Sequence, residues 1–277
     1  MYEYRYFLGC PYSLFNRVMI EIDSITYAYD QGTPVFLNYS WNAERGDAWS
    51  ILGPSGCGKT TLLYLLAGLR YPNSGRILID SQLVIRPRPH TGLILQDYGL
   101  LPWATVRQNA ELGIRVRSFY GPDGKHTPED FKPDIDVEPW LDRLGLVPFA
   151  DKYPGQISGG QRQRTAIART LALRPDLLLM DEPFSSLDAP TRENLQNLSL
   201  ELQVEQNLTM VIVTHSIEED AMMGRKILVL GYPPNTETVV VENPWIKQPG
   251  YRQTVEYLEL CRDLRGMLGD GGAALKA

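Results

Sequence analysis

Residues 47–69 read DAWSIL-GPSGCG-KTTLLYLLAGL, and this stretch decides the fold. Residues 53–60, GPSGCGKT, fit the pattern G-x-x-x-x-G-K-[ST]. A short, mostly apolar run (47–52) precedes them, and a run that is apolar all round (60–69) follows. The motif therefore lies between a strand and a buried helix. Its glycines let backbone N–H groups converge on phosphate oxygens, and the next helix adds its positive N-terminal end. Lys59 supplies a charge for the β and γ phosphates, and Thr60 a hydroxyl for Mg²⁺. Gly53, Pro54, Ser55, Gly56, Cys57, Gly58, Lys59, Thr60 and Thr61 are thus the candidate residues for holding ATP. Cys57 reads as a small filler rather than a redox switch.

Downstream, LLLMDE (177–182) is a continuous apolar strand ending in two carboxylates. At the strand's carboxyl end Asp181 would hold Mg²⁺, and Glu182 would polarise the attacking water as general base. An acidic pair merely facing solvent is the alternative. Between these motifs, Ser158-Gly159-Gly160-Gln161 opens a helix on which Ala166, Ile167, Thr170 and Leu171 share one face. A Ser-Gly-Gly turn at a helix start is a second anion-seeking N-terminus. One subunit already has its cradle at 53–60, so the second points to another copy of the chain, unless it is an ordinary capped helix.

Taken in order, the phosphate loop, Gln96 in LILQD, ISGGQ (157–161) and LLLMDE resemble the ATPase subunit of an ATP-binding-cassette transporter, from about residue 19 to about residue 230. The resemblance implies an α/β fold of the P-loop NTPase type: a mainly parallel sheet core, an antiparallel β subdomain and an inserted α-helical subdomain at about 97–173. It also implies a head-to-tail dimer that sandwiches two ATP molecules between one subunit's phosphate loop and the other's Ser-Gly-Gly-Gln turn. Tyr29 matches the aromatic that stacks on adenine, with Tyr27 as competitor, since stacking depends on shape rather than polarity. Gln96 matches the glutamine that reaches Mg²⁺ and the attacking water, His215 the histidine at the γ-phosphate, and Ser186-Leu187-Asp188 the loop crossing the dimer interface. The candidate catalytic set is Glu182, His215 and Gln96; the metal set is Thr60, Gln96 and Asp181. Ile157, Thr60, Ser216 and Gly224 depart from the commonest family pattern without removing a catalytic group, and Gly224 weakens the helix after His215.

Leu100-Leu101-Pro102-Trp103, with Thr105, Val106 and Asn109 beyond, resembles the importer branch that handles nitrate, sulfonates and taurine. Trp103 is either an exposed docking pad for a membrane-subunit helix or a ring packing the helical subdomain against the core. The implied partners are a second ATPase subunit, a transmembrane permease and, indirectly, a periplasmic or lipid-anchored solute-binding protein. Rival readings are an exporter or lipoprotein-release ATPase, a soluble cassette ATPase acting on DNA or ribosomes, and a phosphotransferase kinase. The last would have no reason to keep residues 158–161.

Composition narrows these. The 277 residues, 43% hydrophobic, suffice for a substantial core. A net charge of −6 without clustered Lys/Arg argues against a nucleic-acid surface. No run approaches 18 apolar residues, and residues 1–18 lack the pattern of a signal peptide. Three scattered cysteines suit a reducing compartment. The expectation is a peripheral protein on the cytoplasmic face of the plasma membrane. Three segments are expected: an extension (1–18), a nucleotide-binding domain (19–245), and a C-terminal helix with a tail frayed after Leu264 (246–277). Strands are expected at 19–29, 35–41, 93–96, 177–180, 210–214, 227–230 and 238–241, and residues 76–80 alternate like an exposed-edge strand.

Overall fold

A computed structural model describes residues 18–120 and 136–269, apart from 31, 247 and 249. Residues 1–17 of the expected extension, the Pro/Gly-rich middle of the helical insertion and the last eight residues lie outside the described residues.

From the N-terminus run β1 (Val18–Tyr27), β2 (Phe36–Glu44), β3 (Ala48–Leu52), α1 (Lys59–Leu66), β4 (Ser74–Ile79), β5 (Gln82–Leu83) and β6 (Thr91–Ile94). Next come α2 (Val106–Tyr120), α3 (Glu138–Arg143) and α4 (Gly159–Leu171), the helical insertion. The core resumes with β7 (Leu177–Asp181), α5 (Ala189–Glu205), β8 (Thr209–Val213), α6 (Ile217–Met223), β9 (Lys226–Val229), β10 (Val239–Glu242) and α7 (Val255–Gly269).

Two sheets form. The larger has the order β10-β9-β3-β8-β7-β6, all parallel except β10, which pairs antiparallel with β9 at the edge. Every residue of β3, β7 and β8 is buried, the reason these strands read as mostly apolar runs: both faces of a parallel sheet are covered. The smaller sheet, β2-β1-β4-β5, is antiparallel. α1 packs on β7 and β8 of one sheet and on β4 of the other, and buries Leu62, Leu63, Leu65 and Leu66. A helix held between two sheets has no polar face to spare.

Three expectations are corrected. The 76–80 strand is not an edge: β4 lies between β1 and the two-residue β5, and its alternation reflects burial on one face only. α1 stops at Leu66, short of residue 69. Gly68 takes φ +69°, and the Gly68 and Leu69 N–H groups bond the Leu65 and Tyr64 carbonyls, closing the helix end. A Cβ on Gly68 would sit 2.5 Å from the Arg86 carbonyl oxygen, so the turn requires glycine. The segment after Leu264 is not frayed up to Gly269: α7 continues to that residue, with Leu264 fully buried in a cluster with Leu52, Ile227 and Val229. Leu260, Leu264 and Leu268 form one apolar stripe, a signal the neighbouring glycines obscured.

Gly224 also takes a different role from the one its sequence position suggested. It closes α6 rather than weakening it, and a Cβ there would lie 2.3 Å from Ser50 Oγ on β3. Beside it, Asp220 is fully buried, and burial pushes its carboxyl well above the usual carboxylate range, against a smaller opposing pull from the Ser50 hydroxyl. Glu219, Glu218 and Lys59 are the charged groups that act on it. The folded state thus holds a proton that the unfolded state releases near pH 4. Stability from this group is complete below that pH and falls by about 1.4 kcal/mol per unit as pH rises towards the folded value. Asp220→Asn is expected to remove this slope. Urea unfolding midpoints at pH 4 and pH 8 check it: the difference between parent and variant must widen from the lower pH to the higher, in the variant's favour.

Candidate active site

β3 delivers the chain to the loop formed by residues 53–58. Gly53 passes so close to its surroundings that a Cβ would meet Cys57 Sγ at 2.6 Å and the Leu230 carbonyl oxygen at 2.7 Å. Gly56 and Gly58 have φ +77° and +111°, and a Cβ on Gly58 would strike Val35 Cγ1 at 2.5 Å. Only glycine tolerates these conformations without strain. Lys59 Nζ donates to the Gly53 and Pro54 carbonyls at 2.7 and 3.1 Å, placing the ammonium inside the curve of the loop. Pro54 is half-buried, and Ser55 and Gly56 are exposed. Cys57 is fully buried, and burial pushes its thiol up despite the Lys59 charge. Such a thiol stays protonated and packs as a small apolar group.

At the adjacent strand end, Thr60 Oγ1 donates to Asp181 Oδ1 at 3.2 Å. Asp181 is 7% exposed, and its carboxyl is raised by burial, with Thr60 and Lys59 opposing and Glu182 adding to the rise. Glu182, the first residue beyond β7, bonds its N–H to the Val213 carbonyl and adopts φ +46°. That left-handed conformation is costly for glutamate. Gln96 Nε2 donates to Glu182 Oε2 at 3.1 Å, and His215 Nδ1 lies 3.2 Å from the same oxygen. β6, β7 and β8 are neighbours, so Gln96, Glu182 and His215 converge from beyond three adjacent strand ends.

Asp181, Thr60 and Gln96 offer a carboxylate, a hydroxyl and an amide, the oxygen donors Mg²⁺ prefers. Among the described residues no cluster of three or more His, Cys, Asp or Glu could cage a metal alone. This suits a cation held by one or two protein groups together with phosphate oxygens and water.

Tyr29 is 44% exposed whereas Tyr27 is 6% exposed, leaving Tyr29 as the ring available to a planar ligand. Its hydroxyl pairs with Thr61 Oγ1 at 2.8 Å, and the Tyr27 ring packs edge-on at 5.2 Å. Arg70, which sequence reasoning missed, lies 4.7 Å over the Tyr29 ring and donates to the Tyr27 hydroxyl. Asn235 was missed too. Its Nδ2 donates to the Cys57 and Val35 carbonyls, tying the loop to the segment between β9 and β10. No short motif could have flagged it, because its partners lie about two hundred residues away.

The Ser158–Gln161 turn lies on another part of the molecule, where α4 packs on α2, α3, α5 and β6. Ser158 Oγ accepts from Gln161 N–H while the Gln161 side chain accepts from Ser158 N–H, a reciprocal cap. Gly160 is needed there, since a Cβ would lie 2.6 Å from Thr191 Cγ2. Asp188 caps α5 by accepting from Thr191 N–H at 3.1 Å; that bond holds its exposed carboxyl below the ordinary value. Gly159, for its part, lies against Leu187. The exposed Ser158 and Asp188 therefore belong to one surface.

Tyr98 joins the loop after Gln96 to the Ser186 turn through a 2.5 Å hydroxyl–hydroxyl bond. Beyond it, the fully buried Asn109 accepts from Leu101 N–H and donates to the Leu101, Ala104 and Thr105 carbonyls. This clasp displays Trp103 at 73% exposure, so the ring does not pack against the core.

A phosphate loop beside an acidic strand end, on a parallel sheet with an antiparallel second sheet and a helical insertion, defines a nucleoside-triphosphatase of the P-loop class. The chain belongs to the ABC transporter family, whose model matches residues 36–185, and it is an ATPase of that family. It is 39% identical over 246 residues to the nitrate import ATP-binding protein NrtC of Synechococcus elongatus, covering 87% of this chain and 36% of that one. Identity to the aliphatic sulfonates import ATP-binding protein SsuB of Bacillus cereus is 36% over 227 residues, covering 81% and 86%. Among solved structures, the dimeric post-hydrolysis state of the MJ0796 cassette bound to ADP and Pi aligns with a TM-score of 0.68 at 29% identity, covering 81% of this chain and 98% of that one. Among the described residues no helix is long and apolar enough to cross a membrane.

Proposed function

We propose that this chain is the motor of an importer for a small oxyanion such as nitrate, taurine or another sulfonate, working as a pair of ATPase subunits on the cytoplasmic face of a membrane permease. The convergence of Gln96, Glu182 and His215 beside the phosphate loop carries the motor reading. The importers among its relatives carry the direction and the solute class.

Lys59 and the loop N–H groups grip the β and γ phosphates, and the Tyr29 ring takes adenine on the face away from Arg70. Thr60, Asp181 and Gln96 would hold Mg²⁺, which would supply neutralisation of the charge on the transferred phosphoryl group. Glu182 accepts the proton of the attacking water, and His215 and Gln96 fix its carboxylate for that transfer. From the partner subunit, the Ser158–Gln161 helix start closes over the γ-phosphate, and Asp188 lies along the same interface. Hydrolysis removes the group both subunits grip, and the pair reopens. A solute-binding protein on the far side would deliver cargo without touching this chain.

Trp103 and the loop that Asn109 clasps form the pad for the permease. Trp103→Glu is expected to cut permease co-purification at least tenfold, since buried interface aromatics are worth 2 kcal/mol or more, while ATP affinity stays unchanged. Co-expression with the partner permease, affinity capture and an ATP titration check this. Undiminished capture would place the docking surface elsewhere. Uptake of nitrate, taurine and an alkanesulfonate into vesicles holding the assembled transporter decides the solute.

A further inference from the structure

One buried carboxylate outside the ATP site links two of its parts. Glu219, on the first turn of α6, is 5% exposed. Ser216 caps α6 and Glu219 stands three residues on, the spacing at which a glutamate usually turns back to the cap's own N–H. Here it does not. Ser216 N–H bonds Thr214 Oγ1 at 3.1 Å, and that hydroxyl donates to Glu219 Oε2 at 2.6 Å. The second oxygen, Oε1, faces Arg192 Nε of α5 at 3.6 Å. The Arg192 guanidinium in turn donates to the Leu187 carbonyl at 2.7 Å. Thr214 immediately precedes His215, and Leu187 immediately precedes Asp188.

We infer that Glu219 is a positioning residue: through Thr214 on one oxygen and Arg192 on the other, it couples the Leu187–Asp188 turn to the His215 strand end. A carboxylate withdrawn from water is costly without partners; Thr214 supplies a hydrogen bond and Arg192 an ionic contact, the buried Nε having no hydrogen-bond partner of its own. A displacement of the Asp188 turn, the face offered to a second subunit, drags Arg192 and with it the backbone that aims His215 at Glu182. The partner's arrival is thereby reported to the catalytic carboxylate within one chain. This rests on the dimeric motor reading above, but the coupling itself lies inside a single subunit.

The test is a set of single and double substitutions in the full chain, read in two ways. The first readout needs no turnover: the imidazole resonance of His215, one of three histidines, in histidine-labelled protein. Arg192→Gln touches nothing on His215, yet it is expected to shift that resonance, as is Thr214→Val. Thr214→Ser, which keeps the hydroxyl, should leave it in place. In a Glu219→Ala background, or Glu219→Gln if alanine does not fold, Arg192→Gln should cause no further shift. The second readout is ATPase kinetics. Thr214→Val and Arg192→Gln are each expected to lower kcat about tenfold with KM for ATP nearly constant, and the double variant should be no worse than either alone. An unmoved His215 resonance in Arg192→Gln, or kcat losses that multiply in the double variant, would overturn the coupling. A parent chain without ATP turnover would instead defeat the motor reading, and the resonance would still decide the coupling.

Discussion

Glu182→Gln is expected to bind ATP with parental affinity and to lose about two to four orders of magnitude in turnover, the range for removing a general base. The amide is isosteric and can still pair with Gln96 and His215, so the geometry around the phosphate loop persists. What it loses is the ability to accept the water's proton. With hydrolysis blocked and binding intact, the variant should accumulate as an ATP-held dimer. Fluorescent-nucleotide titration, single-turnover hydrolysis and light scattering with and without ATP measure the three parts separately. A variant that remains monomeric in ATP and hydrolyses at the parental rate would remove Glu182 from the chemistry.

Lys59→Ala should act one step earlier. The ammonium sits inside the loop, satisfied by the Gly53 and Pro54 carbonyls, and would exchange those contacts for phosphate oxygens. Hydrogen bonds to charged groups are worth about 1.5–3 kcal/mol each, so losing even one or two weakens ATP binding by about one to four orders of magnitude. The side chain is only partly buried and anchors no apolar cluster, so the fold should survive with little change in thermal midpoint. A calorimetric titration beside a melting curve separates loss of binding from loss of structure. Unchanged affinity would reject the assignment of residues 53–60 as the phosphate cradle.

Much of the site was legible in the chain because its parts are local. A cradle of consecutive N–H groups can be built only from consecutive residues, so GPSGCGKT announces itself. A strand that ends in Asp181-Glu182 likewise carries its carboxylates in its own sequence, and the Ser158–Gln161 cap is closed within four residues. Mostly apolar runs at β3, β7 and β8 were readable for the same reason: burial on both faces leaves few polar positions, one in each strand.

Local patterning by itself misled where the deciding neighbour was remote. Residues 76–80 alternate as an edge strand would, yet β5 covers that side with only two residues. The glycines near the C-terminus read as a loose tail, yet Leu264 closes the core beneath β9.

Order, spacing and residue type along the chain thus determined the nucleotide chemistry and the parallel core and pointed to a partner subunit, since each is written in contiguous residues. Which tyrosine is exposed, that Trp103 faces outward, that Asn235 braces the loop, and that Gln96, Glu182 and His215 meet on one oxygen were decided only by the tertiary structure. These depend on which strands lie side by side and on what buries what, and such contacts between distant residues leave no periodic trace in the sequence.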